Sequence, residues 1–378
     1  MRLYEFLLSG IVFLSPVLAQ EDEEPEPPPP TPTGIDSFAN VTLYQPDDPK
    51  TQLTAPRSAS LPNNTVLAVW NDPSNNGSIS IYRSTNSGFS WYAHSTVTSD
   101  SRKKLSQPNL LYINETSDGE SGTVLLTAVA ANDKTTTIEL YSSGDQGATW
   151  DIVSEIASGG PLSNVTSAVA NPSLLQNGDD ITVFYAGKGD RTHAQKIVQQ
   201  TTGGDYDSWG NAADVVASQS QTDRPSAPSV AKISKNQYIV AFQNGVLDTA
   251  TNNYTYPIYY KITTNLRNAA KDRTREFRVD TGAVPSGSPS VTWSPLGGSN
   301  GTIVLSDSKS GSVFVNQALG EGEWWELPTT AGRALGREVA IPANDQTKLR
   351  FVGGTDPLGK GASQVLVTVM NLKKAIGA

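Results

Sequence analysis

Three tryptophans at one interval constrain this chain more than anything else in it: Trp91, Trp150 and Trp209 follow one another at 59 residues. Each closes a short polar segment, namely Ser84-Thr-Asn-Ser-Gly-Phe-Ser-Trp91, Ser143-Gly-Asp-Gln-Gly-Ala-Thr-Trp150 and the degenerate Thr202-Gly-Gly-Asp-Tyr-Asp-Ser-Trp209. Such a segment has the chemistry of a turn. The acidic or amide side chain bonds turn backbone, Gly permits positive φ, and the indole packs between neighbouring sheets. A period of this length means one supersecondary unit copied along the chain.

A second repeat opens each unit: Ala55-Pro-Arg-Ser-Ala-Ser, Gln107-Pro-Asn-Leu-Leu, Asn171-Pro-Ser-Leu-Leu, Ala227-Pro-Ser-Val, Ser288-Pro-Ser-Val and the variant Gly336-Arg-Glu-Val. A turn and a β-rich run follow each: Val66 to Trp70, Val124 to Val129, Ile181 to Tyr185, Tyr238 to Phe242, Ile303 to Leu305 and Leu349 to Val352. The apolar runs are short and punctuated by Gly, Pro, Asn, Asp and Ser, and no segment of a dozen residues keeps a 3.6 period. Six units of about 55 residues, with four strands in each, predict an all-β, six-bladed β-propeller of four-stranded antiparallel blades over residues 35–378. Residues 38–45 are left to complete the last blade and close the ring.

Met1-Arg2, an apolar stretch from Phe6 to Leu18 and small residues ending at Ala19 read as a signal peptide, residues 1–19. Residues 20–34 are acidic and proline-rich, the composition of an extended linker. Seven Asn-X-Ser/Thr sequons, at Asn40, Asn63, Asn76, Asn114, Asn164, Asn253 and Asn300, fit a secreted, extracellular glycoprotein. A net charge of −9 argues against nucleic acid as partner, and the Arg102-Lys103-Lys104 run reads as a solvated loop. No later segment has the roughly 18 apolar residues of a membrane span, so a soluble monomer is expected. With no Cys and two His, neither a disulfide framework nor a metal site is indicated, and no cofactor is expected.

In a propeller blade the innermost strand runs away from one face and the second strand returns to it. Residues before the first strand and after the second therefore meet on that face, and the tryptophan turns fall on the other. This sorting nominates Arg57 and Asp72, then Gln107, Asn132 and Asp133, then Asn171, Asp190 and His193, then Arg224 and Gln243, then Asp307, then Arg337 and Asp356. Arginines, carboxylates and amides converging near an axis suit the hydroxyls of a sugar, with Trp70, Tyr185 or Phe242 expected to stack on its apolar face.

The turn segments match the Asp-box, Ser-x-Asp-x-Gly-x-Thr-Trp, and on that match the chain resembles the sialidase superfamily. With Asp190-Arg-Thr-His-Ala-Gln-Lys-Ile197, Thr222-Asp-Arg-Pro225, Gly298-Ser-Asn-Gly-Thr-Ile303 and Val313-Phe-Val-Asn-Gln-Ala-Leu-Gly320, it is similar to the exo-α-1,5-arabinanases of glycoside hydrolase family 93. The resemblance implies a Glu before the Pro that opens blade three and another after the second strand of blade four. Asn171 and Gln243 stand there, and neither amide can act as nucleophile or proton donor at neutral pH. The sialidase likeness implies an arginine triad, which Arg57, Arg224 and Arg337 would form. Two functions stay open on these residues. One is an exo-glycosidase of arabinanase or sialidase type, with Asp72, Asp190 and Asp307 as available catalytic carboxylates. The other is a non-catalytic carbohydrate-binding propeller that holds an oligosaccharide or polysaccharide through Arg57, Asn171, His193, Arg224, Gln243 and Arg337. A protein-interaction propeller fits less well, because the nominated residues are polar and charged.

Overall fold

The computed structural model describes residues 35–378 except 102, 114–121, 219, 360 and 362. The expected signal peptide and linker, Arg102 and the Asn114 sequon lie outside the described residues. Six antiparallel sheets follow one another along the chain. Their inner strands are Thr54–Ser60, Lys104–Tyr112, Ala170–Asn177, Arg224–Ser234, Ser290–Ser294 and Glu338–Ala340 for blades one to six, and each touches the next around a closed ring. The strand Asp36–Tyr44 closes it as the outermost strand of blade six, pairing with Val365–Asn371 in the register Asp36↔Met370, Val41↔Val367 and Tyr44↔Val365.

The core is divided among the seams between blades. Six buried apolar clusters each combine residues of two adjacent blades; one joins Leu67, Val69 and Ile81 of blade one to Leu110, Val124 and Leu126 of blade two. A blade is thus covered on both faces, which is why its second strand reads as a continuous apolar run instead of an alternating one: Val124–Ala131 is buried at every position. Each fully buried Val, Ile or Leu contributes roughly 1.5–3 kcal/mol relative to exposure. Among the described residues no helix is long and apolar enough to cross a membrane.

The X-Pro repeat that opens each unit is a β-bulge. Inner-strand register shifts fall between Thr54 and Arg57, Ser106 and Asn109, Ala170 and Ser173, and Ser226 and Ser229. The residue before the proline takes positive φ each time: 49° at Ala55, 53° at Gln107, 52° at Asn171 and 49° at Ala227. Blade six uses Gly336 at 69°, where an added Cβ would meet the Ala55 Cα at 3.0 Å. Two residues past that point an acceptor side chain staples the next blade. Asn109 Oδ1 accepts the Leu174 N–H (3.0 Å), Ser229 Oγ that of Val291 (3.0 Å), Ser290 Oγ that of Val339 (3.1 Å) and Glu338 Oε1 that of Ser58 (2.8 Å). Arg57 holds this position in blade one, and a guanidinium has nothing with which to accept.

The Asp-box turns occupy the opposite face. Asp145 Oδ1 accepts the N–H groups of Ala148 (3.0 Å) and Thr149 (2.9 Å), Ser143 Oγ accepts that of Gly147 (2.7 Å), and Trp150 Nε1 donates to Gly147 O and to Ser95 of blade one at 3.1 Å each. Trp209 repeats the seam bond on Ser154 at 3.0 Å. A further turn of this design went unread in the sequence: Asn316 Oδ1 accepts the Gly320 N–H at 2.8 Å and Trp324 is buried behind it. Blade four departs from the four-strand expectation. It adds a short strand, Asn253–Thr255, against the end of its second strand Gln237–Asp248, and replaces the staple turn by the 3₁₀ helix Leu266–Lys271, capped by Asn265.

Candidate functional site

On the bulge-bearing face the second strands end where the inner strands begin, as the pairs Thr54↔Asn71, Lys104↔Ala131 and Arg224↔Gly245 show. The mouth of the ring is bordered there by polar side chains that hold one another. Gln107 Oε1 accepts both the backbone N–H (2.7 Å) and the side-chain amide (3.2 Å) of Asn171, tying blade two to three. Gln243 Nε2 donates to Ser226 Oγ at 3.0 Å, and Ser288 Oγ of blade five donates to Gln243 Oε1 at 3.5 Å. Gln243 lies inside its strand, not after it, because the extra strand of blade four prolongs the pairing to Asp248.

Arg57 borders the same mouth, half-buried, with Nη1 donating to the carbonyls of Pro56 (2.6 Å) and Gly336 (3.0 Å). Beside it lies the buried carboxylate of Glu338, which also bonds the Ser58 hydroxyl, and beyond that Arg350, whose Nη1 and Nη2 reach Ser60 Oγ and Ser58 Oγ at 3.0 Å each. Burial pushes the Glu338 carboxyl up, opposed by Arg350, the Ser58 donors and Arg57. Burial pulls Arg57 below its ordinary value, opposed by Glu338. Glu338 and Arg350 were not nominated from the sequence. The signal available was alignment of Gly336-Arg-Glu with Ala55-Pro-Arg, which sets Glu338 level with Arg57.

That alignment also sets Arg337 level with the repeat's prolines, and Pro56, Pro108, Pro172, Pro228 and Pro289 are all buried. Arg337 is likewise 0 % exposed. Its guanidinium sits over the Phe351 ring at 5.6 Å and bonds Ser306 Oγ (2.8 Å) and the carbonyls of Gly332 and Ser312. Burial lowers it to about 10, opposed by Asp307, so it stays charged at neutral pH inside the wall. Asp307 is 1 % exposed and accepts the N–H groups of Ser286 (3.1 Å) and Ser310 (3.0 Å).

The other nominated groups lie around the rim. Asp190 accepts the Thr192 and His193 N–H groups and faces His193 Nδ1 (2.9 Å) and Lys196 Nζ (3.2 Å). These bonds, those of Thr192 foremost, hold its carboxyl well below the usual carboxylate range. Arg224 lies 4.1 Å from the centroid of the Tyr254 ring. Asp72 closes a turn on Ser74 (2.8 Å to N) and bonds the Tyr44 hydroxyl, which burial and this carboxylate raise to about 12. With Lys104, Ser106, Asn132 and Asp133 it lines a cavity of about 780 Å³ between blades one and two. Asp356 faces Arg333 at 3.5 Å. Trp70, Tyr185 and Phe242 are 3 %, 4 % and 1 % exposed, so they are core residues and offer no stacking face at the mouth. Tyr256, 40 % exposed in the loop whose carbonyl bonds Ser286, is an accessible aromatic on this side. Among the described residues no three His, Asp or Glu side chains converge to hold a metal ion.

Six sheets closed by the first strand, with stapled turns on one face and an amide-and-arginine mouth on the other, define a sialidase-like β-propeller. The NanB sialidase of Streptococcus pneumoniae shares this fold at 9 % identity and a TM-score of 0.58, over 89 % of this chain and 71 % of its own. Two fungal structures are nearer. The Penicillium chrysogenum α-L-arabinanase complexed with arabinobiose is 33 % identical, with 89 % of this chain and 99 % of that one covered and a TM-score of 0.82. The GH93 α-L-arabinofuranosidase of Fusarium graminearum, also with arabinobiose, is 30 % identical over 90 % and 99 % of the two chains, again at 0.82. The chain belongs to glycoside hydrolase family 93. No sequence-family model and no curated protein matches it.

Proposed function

We propose that this is a secreted member of the family that holds an arabino-oligosaccharide at the mouth and hydrolyses it slowly or not at all. The observation that carries the reading is the pair of amides, Asn171 and Gln243, on adjacent blades at the mouth, each locked by hydrogen bonds to Gln107 or to Ser226 and Ser288. A retaining glycosidase needs two carboxyl groups about 5 Å apart, one as nucleophile and one as acid and base. Amides supply neither role, yet they donate to and accept from sugar hydroxyls. Arg57 adds a charged donor on the same rim, at the position where four other blades use an acceptor. The relatives of known structure bind arabinobiose, which names the ligand to try first. Export is supported by the leader-like N-terminus and by the exposure of all six sequon asparagines among the described residues.

The test combines arabinobiose binding with sugar release for the wild type and for Asn171→Glu with Gln243→Glu. The wild type is expected to bind and to turn over well below about 1 per second, the low end of ordinary enzymes, and the double variant to gain hydrolysis. Turnover by the wild type at or above that rate would defeat the reading. Asp72 and Asp190 would then be the first carboxylates to replace.

A further inference from the structure

The cavity between blades three and four lies away from the mouth and is built for a ligand of its own. It measures about 430 Å³, inside the roughly 300–1,000 Å³ range of small-molecule clefts. Blade three contributes Val216 to Ser218, blade four contributes Phe242, Asn244, Tyr259 and Lys261, and the segment after the 3₁₀ helix contributes Asp272. Side chains alternate along a strand, so Phe242 and Asn244 face this seam while Gln243 between them faces Ser288 of blade five.

Two buried polar groups in its wall are incompletely used. Asn244 is 7 % exposed, and its Nδ2 donates to Asp223 Oδ2 at 2.8 Å, which fixes the amide's orientation. Its Oδ1 is therefore an acceptor, and it is buried without a partner. Lys261 is 3 % exposed; its Nζ donates to the carbonyls of Ala269 (2.9 Å) and Ala270 (3.2 Å), leaving one of an ammonium's three N–H groups. The occupant must thus donate to Asn244 and accept from Lys261. A hydroxyl does both. The charges in the lining balance, Lys261 and Lys271 against Asp223 and Asp272, which favours a neutral molecule over an ion of either sign. The Tyr259 ring, backed by Phe242 at 6.0 Å and 21°, supplies an apolar wall for the C–H face of a ring.

We propose that this cavity, walled by Asn244, Lys261, Asp223 and Tyr259, is a second carbohydrate site that takes a single neutral sugar ring independently of the mouth. The probes are L-arabinose, D-galactose and D-glucose, with acetate as the anionic control, soaked into crystals and followed by saturation-transfer NMR. A sugar ring is expected in the cavity, and its signal should persist in Arg57→Ala. Asn244→Ala should weaken it about tenfold or more, as losing a bond in a partly dry site does. Tyr259→Ala, at a half-buried ring, should weaken it as well while leaving the fold intact by circular dichroism. Water alone or acetate in the cavity, or sugar affinity unchanged in both variants, overturns the proposal. Loss of all sugar binding in Arg57→Ala overturns it too, while leaving the mouth reading standing. Weakening by the cavity variants with none by Arg57→Ala would do the reverse.

Discussion

The two faces of the ring treat the same repeat in opposite ways. On the staple face the units keep their side chains: Ser143 and Asp145 satisfy the turn backbone internally, Ser84 and Asn86 do so in blade one, and Asn316 reaches the same end with different chemistry. On the mouth face the units keep only the backbone. The bulge and its positive φ recur while the side chain there changes from Ala55 to Gln107, Asn171, Ala227 and Gly336. Repetition is maintained where neighbouring blades must be pinned, and it lapses where each side chain meets something outside the ring.

That contrast can be broken by experiment. Trp150→Ala removes an indole packed in the seam and bonded to Gly147 and Ser95; a loss of about 3 kcal/mol in stability is expected, with little change in sugar affinity among molecules that remain folded. Unchanged melting would mean that the staple face does not hold the ring. Arg57→Ala should act the other way, weakening arabinobiose binding on the order of tenfold or more while costing less stability than the tryptophan change. If it unfolds the protein instead, the mouth is as structural as the opposite face. The smallest effect is in acid. The Thr149 hydroxyl and N–H, with Ser143 and Ala148, hold Asp145 down at about 2 against an ordinary 3.8. A depressed folded value means its contribution is complete above about pH 4 and is lost as pH falls toward 2. The melting advantage of wild type over Asp145→Asn should therefore shrink between about pH 4 and pH 2.5. A margin constant across that window would show that the charge is not what the turn uses.

The six blades were legible because backbone needs repeat: a turn wants Asp or Asn, Gly and Trp at fixed offsets, and a sheet covered on both sides wants a continuous apolar run. Blade four's additions were not, since Asn253–Thr255 and the 3₁₀ helix carry no period to compare with. At the mouth, sequence position gave the face but not the direction of each side chain. A bulge shifts the alternation by one, so Arg57 borders the mouth while Arg337, one place earlier in the aligned repeat, turns into the wall. Trp70, Tyr185 and Phe242 were misjudged for a related reason. They sit on second strands, which are enclosed by neighbouring blades on both sides.

Closure by the first strand sets an order on the protein's birth. Tyr44 pairs with Val365 and Asp36 with Met370, so the earliest strand to leave the ribosome waits for nearly the last. At roughly 5–20 residues per second the wait is on the order of tens of seconds. Throughout it the nascent chain carries an unpaired edge strand with Val41 and Leu43 on it, the kind of template that recruits other chains. Blades one to five can stack as they emerge, each against its predecessor, but the circle has no stable partial form at its final seam. A chain stopped a few residues short of Val365 would lose two strands from blade six, one of them made at the very beginning.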